Sequence, residues 1–170
     1  MKRAVMISTL AVASAAHADP HGLAVGAEVG EPSAVSAGWF AGALSFTAAM
    51  GTGTFEGVGF SAHADAQLVV ARLGAEIPVR AGIGGRYYDQ HYALMSPDEL
   101  PDRRWGVRAS IAIAYEQPAY SIYVEAAPGI DVHRSQTCTL VDGPNSICPH
   151  AQSTPLFVQL GVGARFFLSH

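Results

Sequence analysis

The stretch that decides the fold is GVRASIAIAYE, residues 106–116. Large apolar residues recur at every second position from Val107 to Tyr115, and the charged residues Arg108 and Glu116 fall in the opposite row. Successive side chains of a strand point to opposite faces, so this stretch predicts a strand with one apolar face and one charged face. A soluble barrel points its apolar row inward, whereas a transmembrane barrel points it outward toward lipid.

The same one-sided placement of charge and polarity recurs along the chain, and it predicts eight strands. Eight is an even number, as is usual for bacterial outer-membrane barrels. The predicted fold class is an all-β, eight-stranded, antiparallel, up-and-down transmembrane β-barrel. Its predicted strands are Leu23–Gly30, Ala34–Phe40, Ala43–Met50, Phe60–Val70, Ile77–Tyr88, Trp105–Glu116, Tyr120–Val132 and Leu156–Leu168.

The lengths of the connections predict an orientation. Outer-membrane barrels have short periplasmic turns and longer external loops. If both termini lie in the periplasm, the periplasmic turns are the short segments Ala41-Gly42, Ala71–Glu76 and Gln117–Ala119. The external connections are then the tight Glu31–Ser33 and the longer Gly51–Gly59, His91–Arg104 and His133–Pro155.

The N-terminal residues predict export. Lys2 and Arg3 precede an apolar run, Ala4–Ala16, that is too short to span a membrane and ends in the small-x-small site Ala16-His17-Ala18. We therefore predict a cleaved secretory signal peptide over residues 1–18 and an outer-membrane barrel over residues 19–170.

Charge and cysteine content limit the function classes. Lys2 and Arg3 are two of only ten basic residues, against fourteen acidic ones, so removing the leader leaves an acidic chain without the basic patch that nucleic-acid binding needs. Cys138 and Cys148 both fall in the last external connection. An exported chain can keep a disulfide there, and two free thiols are the alternative. Two cysteines do not make a zinc site.

Energetics decide which row of each strand faces lipid. An Arg on the lipid face near mid-membrane costs roughly 2–4 kcal/mol, and several would exceed a total stability of about 5–15 kcal/mol. We therefore expect a paired charge network in the lumen, which in an eight-stranded barrel is just wide enough for side chains. Its predicted members are Glu28, Asp65, Arg80, Arg86, Arg108, Glu116, Glu125, Asp131 and Arg165.

Aromatic residues of the apolar row cluster near the strand ends. Amphipathic rings favour the two membrane–water interfaces, so these residues predict two girdles, with core packing as the alternative. The predicted girdle residues are Trp39, Tyr115, Tyr120 and Phe166 at the periplasmic end and Phe60, Tyr87 and Trp105 at the external end.

Several segments resemble a family of small bacterial outer-membrane barrels of unknown function. The resemblance begins with LAVGAEVGEPSAVSAGW at Leu23–Trp39 and covers nearly the whole mature chain. It continues through IPVRAGIGGR at Ile77–Arg86, WGVRASIAIAYE at Trp105–Glu116, YVEAAPGIDV at Tyr123–Val132 and LGVGARFF at Leu160–Phe167. It implies an eight-stranded barrel of OmpA/OmpX type; the family has no established catalytic residues, so none is carried over to this chain.

These patterns predict a monomeric integral protein of the bacterial outer membrane with a structural or surface-interaction role through its external loops. Expected partners are outer-membrane lipid, the barrel-assembly machinery and an extracellular ligand or protein; no enzyme activity and no cofactor are expected. A narrow channel for ions or small solutes is the first alternative and a lipid-modifying enzyme the second. A soluble lipocalin-type barrel would need every strand reversed.

Other candidate motifs are weaker. His63 and Asp65 share the predicted lumen face, where a hydrogen-bonding role is favoured over metal binding. His133 and His150 flank the cysteines, and metal binding is the less favoured interpretation for them as well. The Gly-x-Gly patterns do not precede a helix of a βαβ unit, so a phosphate loop is not predicted.

Overall fold

The computed structural model describes residues 20–53, 59–91, 101–136 and 156–168. Those residues form eight strands, and none of them lies in a helix long and apolar enough to span a membrane. The strands are β1 (His21–Gly30), β2 (Ser33–Ala41), β3 (Leu44–Gly53), β4 (Gly59–Arg72), β5 (Pro78–His91), β6 (Pro101–Glu116), β7 (Tyr120–Gln136) and β8 (Leu156–Phe167).

Each strand pairs antiparallel with the next, and β8 pairs with β1 to close the sheet. The closing ladder runs from the pair Ala24 and Phe167 to the pair Gly30 and Gly161. Full closure leaves no sheet edge to cover or pair. The predicted all-β, eight-stranded antiparallel barrel is thereby confirmed.

The two ends of the barrel differ in their connections. At one end, here called the short-turn end, the strands are joined by residues 42–43, 73–77 and 117–119. At the other, here called the long-connection end, they are joined by residues 31–32, 54–58, 92–100 and 137–155. Residues 1–18 of the predicted signal peptide, Cys138 and Cys148 lie outside the described residues.

Three strands gain polar extensions toward the long-connection end that the sequence does not predict, and β3 also reaches Gly53, three residues beyond its predicted end. β5 reaches His91, β6 starts at Pro101 and β7 runs to Gln136, so residues 101–104 and 133–136 belong to strands and not to connections. These extensions are polar and lack alternation. They are strands because their backbone pairs with the neighbouring strands. A side-chain pattern gives no information about such pairing.

A β-bulge re-aims the side chains of β7 near that end. Trp105 lies opposite His133, whereas the next residue, Gly106, lies opposite Asp131, so Val132 is the extra residue. The bulge reverses the alternation beyond it. His133 is consequently exposed on the outer face beside Trp105.

Inner and outer rows are sharply separated. On β6, Val107 and Ile111 are 51% and 55% exposed, whereas Arg108 between them is 3% exposed. A small apolar cluster of Ala24, Phe40 and Phe167 fills the lumen at the short-turn end, where the two rings meet edge to face at 5.2 Å. From this cluster toward the long-connection end, most of the large inward side chains are polar or charged.

Candidate functional site

The candidate site is the charged lumen. The structure places all the side chains predicted for the lumen network on the inward row, eight of them buried and Asp131 half-buried. They come from six strands, namely β1, β4, β5, β6, β7 and β8. Because an ionised group without a partner is very costly to bury, the contacts of these side chains matter more than their number.

Arg80 and Glu116 form a bidentate pair near the short-turn end. Arg80 Nε lies 3.0 Å from Glu116 Oε1, and Arg80 Nη2 lies 3.3 Å from Glu116 Oε2. Arg80 Nη1 also donates to Ser45 Oγ at 3.3 Å, and the guanidinium carbon lies 5.3 Å from the centre of the Phe40 ring. This geometry joins β5 to β6 and β3 and sets the pair directly on the apolar cluster.

Arg108 is the centre of a second group, here called the central cluster, formed by Asp65, Gln67, Arg108, Glu125 and Gln159. Arg108 Nε donates to Asp65 Oδ1 at 3.0 Å and Nη1 donates to Gln159 Oε1 at 2.7 Å, while Nη2 donates to Glu125 Oε1. Gln67 Nε2 donates to Glu125 Oε2 at 3.1 Å. One guanidinium thus ties together β4, β6, β7 and β8 across the lumen.

Glycine makes the central cluster possible. Gly84 lies opposite both Asp65 and Arg108 in the two ladders that it shares. A Cβ atom at Gly84 would overlap the Asp65 carboxylate and the Ala64 carbonyl. The missing side chain therefore leaves the space in which Asp65 and Arg108 meet.

A third group occupies the lumen toward the long-connection end. Arg86 Nη2 lies 2.9 Å from Asp131 Oδ1, and Arg86 Nε lies 3.1 Å from the same oxygen. The guanidinium carbon is 3.3 Å from the centre of the Phe157 ring, a cation–π contact. Gly129 lies opposite Phe157, and a Cβ atom there would overlap this ring.

The last two of the predicted network residues, Glu28 and Arg165, meet at Tyr123. The Tyr123 hydroxyl donates to Glu28 Oε2 at 2.8 Å, and the Arg165 guanidinium carbon lies 4.0 Å from the centre of the Tyr123 ring. Arg165 Nε donates to Ser36 Oγ at 3.4 Å. His63 Nε2 lies 3.7 Å from Glu28 Oε1.

Several buried members of the lumen were not among the predicted site residues. Tyr123, Gln67 and Gln159 are on the polar row of their strands and could have been found by parity. Phe157 follows the same parity, but a large apolar residue on the inward row contradicts the rule that placed the others. Glu31 is 6% exposed and belongs to a turn, where alternation gives no direction.

The predicted girdle residues are on the outer face. Phe60, Tyr87 and Trp105 form a contiguous aromatic group at the long-connection end, with ring centres 6.2 Å and 4.6 Å apart along the series. Tyr115 and Tyr120 are neighbours at the short-turn end, 6.4 Å apart. Tyr87 and Tyr120 are half-buried; the exposed members are Trp39, Phe60, Trp105, Tyr115 and Phe166.

No protein-family model matches the chain, and neither curated proteins nor solved structures give a significant match. The barrel itself is therefore the basis for inferring a function. Its chemistry consists of charges that neutralise one another across the lumen, with an apolar face on the outside.

Removing one member of the Arg80–Glu116 pair should destabilise the barrel more than removing both. We expect Arg80→Met to lower the free energy of unfolding by about 3–5 kcal/mol, because Glu116 stays buried without its cation. The double variant Arg80→Met, Glu116→Leu should lose less than Arg80→Met alone. Urea titration followed by tryptophan fluorescence measures both.

Arg103 provides the matched control for this experiment. It is 56% exposed at the side chain and lies 3.3 Å from Asp89 at the rim. Arg103→Met should cost no more than about 1 kcal/mol, since exposed ion pairs contribute little. If Arg80→Met were as mild as Arg103→Met, the lumen pairs would not hold the barrel together.

Proposed function

We propose that this protein is an integral β-barrel of the bacterial outer membrane, of OmpA/OmpX type, non-enzymatic, with a structural or surface-interaction role. The observation that carries the proposal is the inverted distribution of polarity. Charges are paired inside the closed barrel, while the outer wall is apolar over most of its height.

The outer wall is too apolar for a surface in contact with water. Ile83, Val29 and Leu156 are 74%, 73% and 70% exposed, and they belong to continuous outward rows on every strand. Monomeric soluble proteins rarely expose contiguous apolar patches larger than a few hundred Å². A lipid bilayer is the environment in which such a wall is favourable.

The positions of the aromatic girdle residues also favour a bilayer around the barrel. Trp105 and Tyr115 are outward residues at opposite ends of β6, ten positions apart. At about 3.3 Å per residue and a strand tilt of about 40°, this separation corresponds to about 25 Å along the barrel axis. An apolar band of about 25 Å is the height typical of outer-membrane barrels.

The lumen argues against the soluble and the conducting alternatives. A lipocalin-type barrel holds its ligand in an apolar interior, whereas here the middle of the interior is taken up by the central cluster. The guanidinium groups of Arg80, Arg108 and Arg86 are buried in the lumen at three levels, each paired with a carboxylate. With its interior filled in this way, the barrel meets other molecules at its ends, and the long connections are the segments available for an extracellular partner.

An arginine placed on the outer face tests whether that face is embedded in a bilayer. Ile111 is 55% exposed and lies midway between Trp105 and Tyr115 on β6. We expect Ile111→Arg to lower the free energy of unfolding in lipid vesicles by about 2–4 kcal/mol, the cost of an arginine at the bilayer midplane. Urea titration of protein refolded into vesicles gives this value.

Val132→Arg is the control, because Val132 is 64% exposed but lies at the level of the girdle beside Trp105. It should cost only about 0–1 kcal/mol.

Wild-type protein should fractionate with the outer membrane and migrate differently on a gel before and after boiling. Equal, negligible effects of the two arginines together with a soluble wild type would refute the proposal.

Conductance distinguishes the filled barrel from a channel. Pure refolded protein in a planar bilayer is expected to show no discrete current steps, because Arg86, Arg108 and their partners occupy the lumen. Steps of constant size that change with Arg86→Ala or Glu125→Gln would show that the lumen conducts and would replace the structural role by the channel alternative.

Surface display of the long connections is a separate prediction. A peptide tag inserted between Gly143 and Pro144 should be detected by antibody on intact cells, since these residues follow β7 at the long-connection end. The same tag inserted after Gly74, in a turn at the opposite end, should be detected only after the outer membrane is permeabilised. The reverse pattern would exclude a surface-interaction role for residues 137–155.

A further inference from the structure

Three buried side chains converge in the middle of the lumen. One ligand atom from each of His63, Asp65 and Glu125 lies within 4.8 Å of the other two. The three residues are 7%, 4% and 8% exposed. His63 and Asp65 come from β4 and Glu125 comes from β7, so the group spans strands that are not neighbours in the sheet.

Two atoms of this group have no hydrogen-bond partner among the described residues. They are His63 Nδ1 and Asp65 Oδ2, and both are inaccessible to solvent. Thr47, directly opposite Asp65 in the β3–β4 ladder, has an unpartnered hydroxyl as well. A buried polar atom without a partner costs about 1–3 kcal/mol, so atoms that remain so in one place point to a further binding partner.

The second nitrogen of His63 lies near a carboxylate, at a separation slightly longer than a hydrogen bond. His63 Nε2 lies 3.7 Å from Glu28 Oε1, and Glu28 is itself fixed by the Tyr123 hydroxyl. A carboxylate on the far side of the ring orients a histidine ligand and raises its basicity. Nδ1, which has no partner among the described residues, is then the His63 nitrogen available to an ion.

The charge of the central cluster is also suited to a cation. Arg108 is the cation in contact with both Asp65 and Glu125, so two carboxylates share one guanidinium. Arg108 engages Asp65 through Oδ1, which leaves Oδ2 directed elsewhere. On Glu125, Oε2 accepts from the neutral amide of Gln67, a hydrogen bond that a cation can replace.

We propose that His63, Asp65 and Glu125 bind a divalent transition-metal ion that links β4 to β7 across the lumen. One nitrogen and two carboxylate oxygens suit Zn²⁺ or a similar borderline ion, with a small oxygen ligand completing a tetrahedron. Glu28 is a positioning residue for His63. The proposal depends on the geometry of the lumen and not on the membrane placement.

The experiment uses Co²⁺ as a spectroscopic probe. The full chain is refolded with Co²⁺, free metal is removed, and unboiled gel mobility confirms that the protein is folded. We expect one bound Co²⁺ per folded chain, with the visible absorption of a nitrogen–oxygen site, displaced by Zn²⁺. Glu28→Gln should weaken binding by about 10–100-fold, as the loss of an outer-shell carboxylate typically does.

The ligand variants are His63→Asn and, as a second polar replacement, His63→Gln; each should abolish the absorption band. Ser61→Ala is the matched control, because Ser61 is a buried neighbour on β4 with an unpartnered hydroxyl and is not a proposed ligand. His133→Asn controls for surface histidines. Both controls should bind Co²⁺ as the wild type does.

Two results would overturn the proposal. Folded wild-type protein that retains no metal after refolding with Co²⁺ would show that His63, Asp65 and Glu125 do not form a metal site. Undiminished binding by either folded His63 variant would place the metal elsewhere. Neither result would bear on the membrane proposal, which the vesicle and fractionation measurements test separately.

Discussion

The rest of this structure depends on the requirement that every charge inside a closed eight-stranded barrel finds its partner there. The interior of such a barrel is only wide enough for side chains. An unpaired ion in it would cost several kcal/mol, a large part of the total stability of a domain. Arg80, Arg108 and Arg86 meet this requirement at successive levels, each held by at least one carboxylate.

The pairing explains the distribution of small residues. Long arginine side chains and aromatic rings fit inside the lumen only where the neighbouring strand has no side chain. Glycine provides this space at the positions that need it. Gly84 admits the contact between Asp65 and Arg108, and Gly129 admits the Phe157 ring that covers Arg86. The glycines of the inward rows are therefore as much part of the network as the charges.

The lumen pairs also link parts of the chain that are remote in sequence. Glu28 and Tyr123 are 95 residues apart, and Arg108 and Gln159 are 51 apart. The contact between Glu28 on β1 and Tyr123 on β7 bridges the closing ladder, so it depends on the pairing of β1 with β8. Closure and neutralisation of the lumen are therefore expected to occur together, since an open sheet would leave the charges without partners.

Much of the fold and part of the site could be predicted from the chain alone. Alternation is a local property, so GVRASIAIAYE at residues 106–116 and its counterparts predicted eight strands and the face that each charge occupies. Strand ends were less accessible. The extensions at residues 101–104 and 133–136 depend on pairing with a neighbouring strand, and the bulge at Val132 has no signature in the alternation.

What the sequence by itself determined is the sidedness of each strand, because the period of two places every second side chain on the same face whatever the neighbours are. What only the tertiary structure decided is which inward residue meets which. Parity put His63, Asp65 and Glu125 in the lumen, but strand stagger and barrel closure brought β4 and β7 together at one level. Those distances are set by the curvature and register of the whole sheet, which no single strand contains.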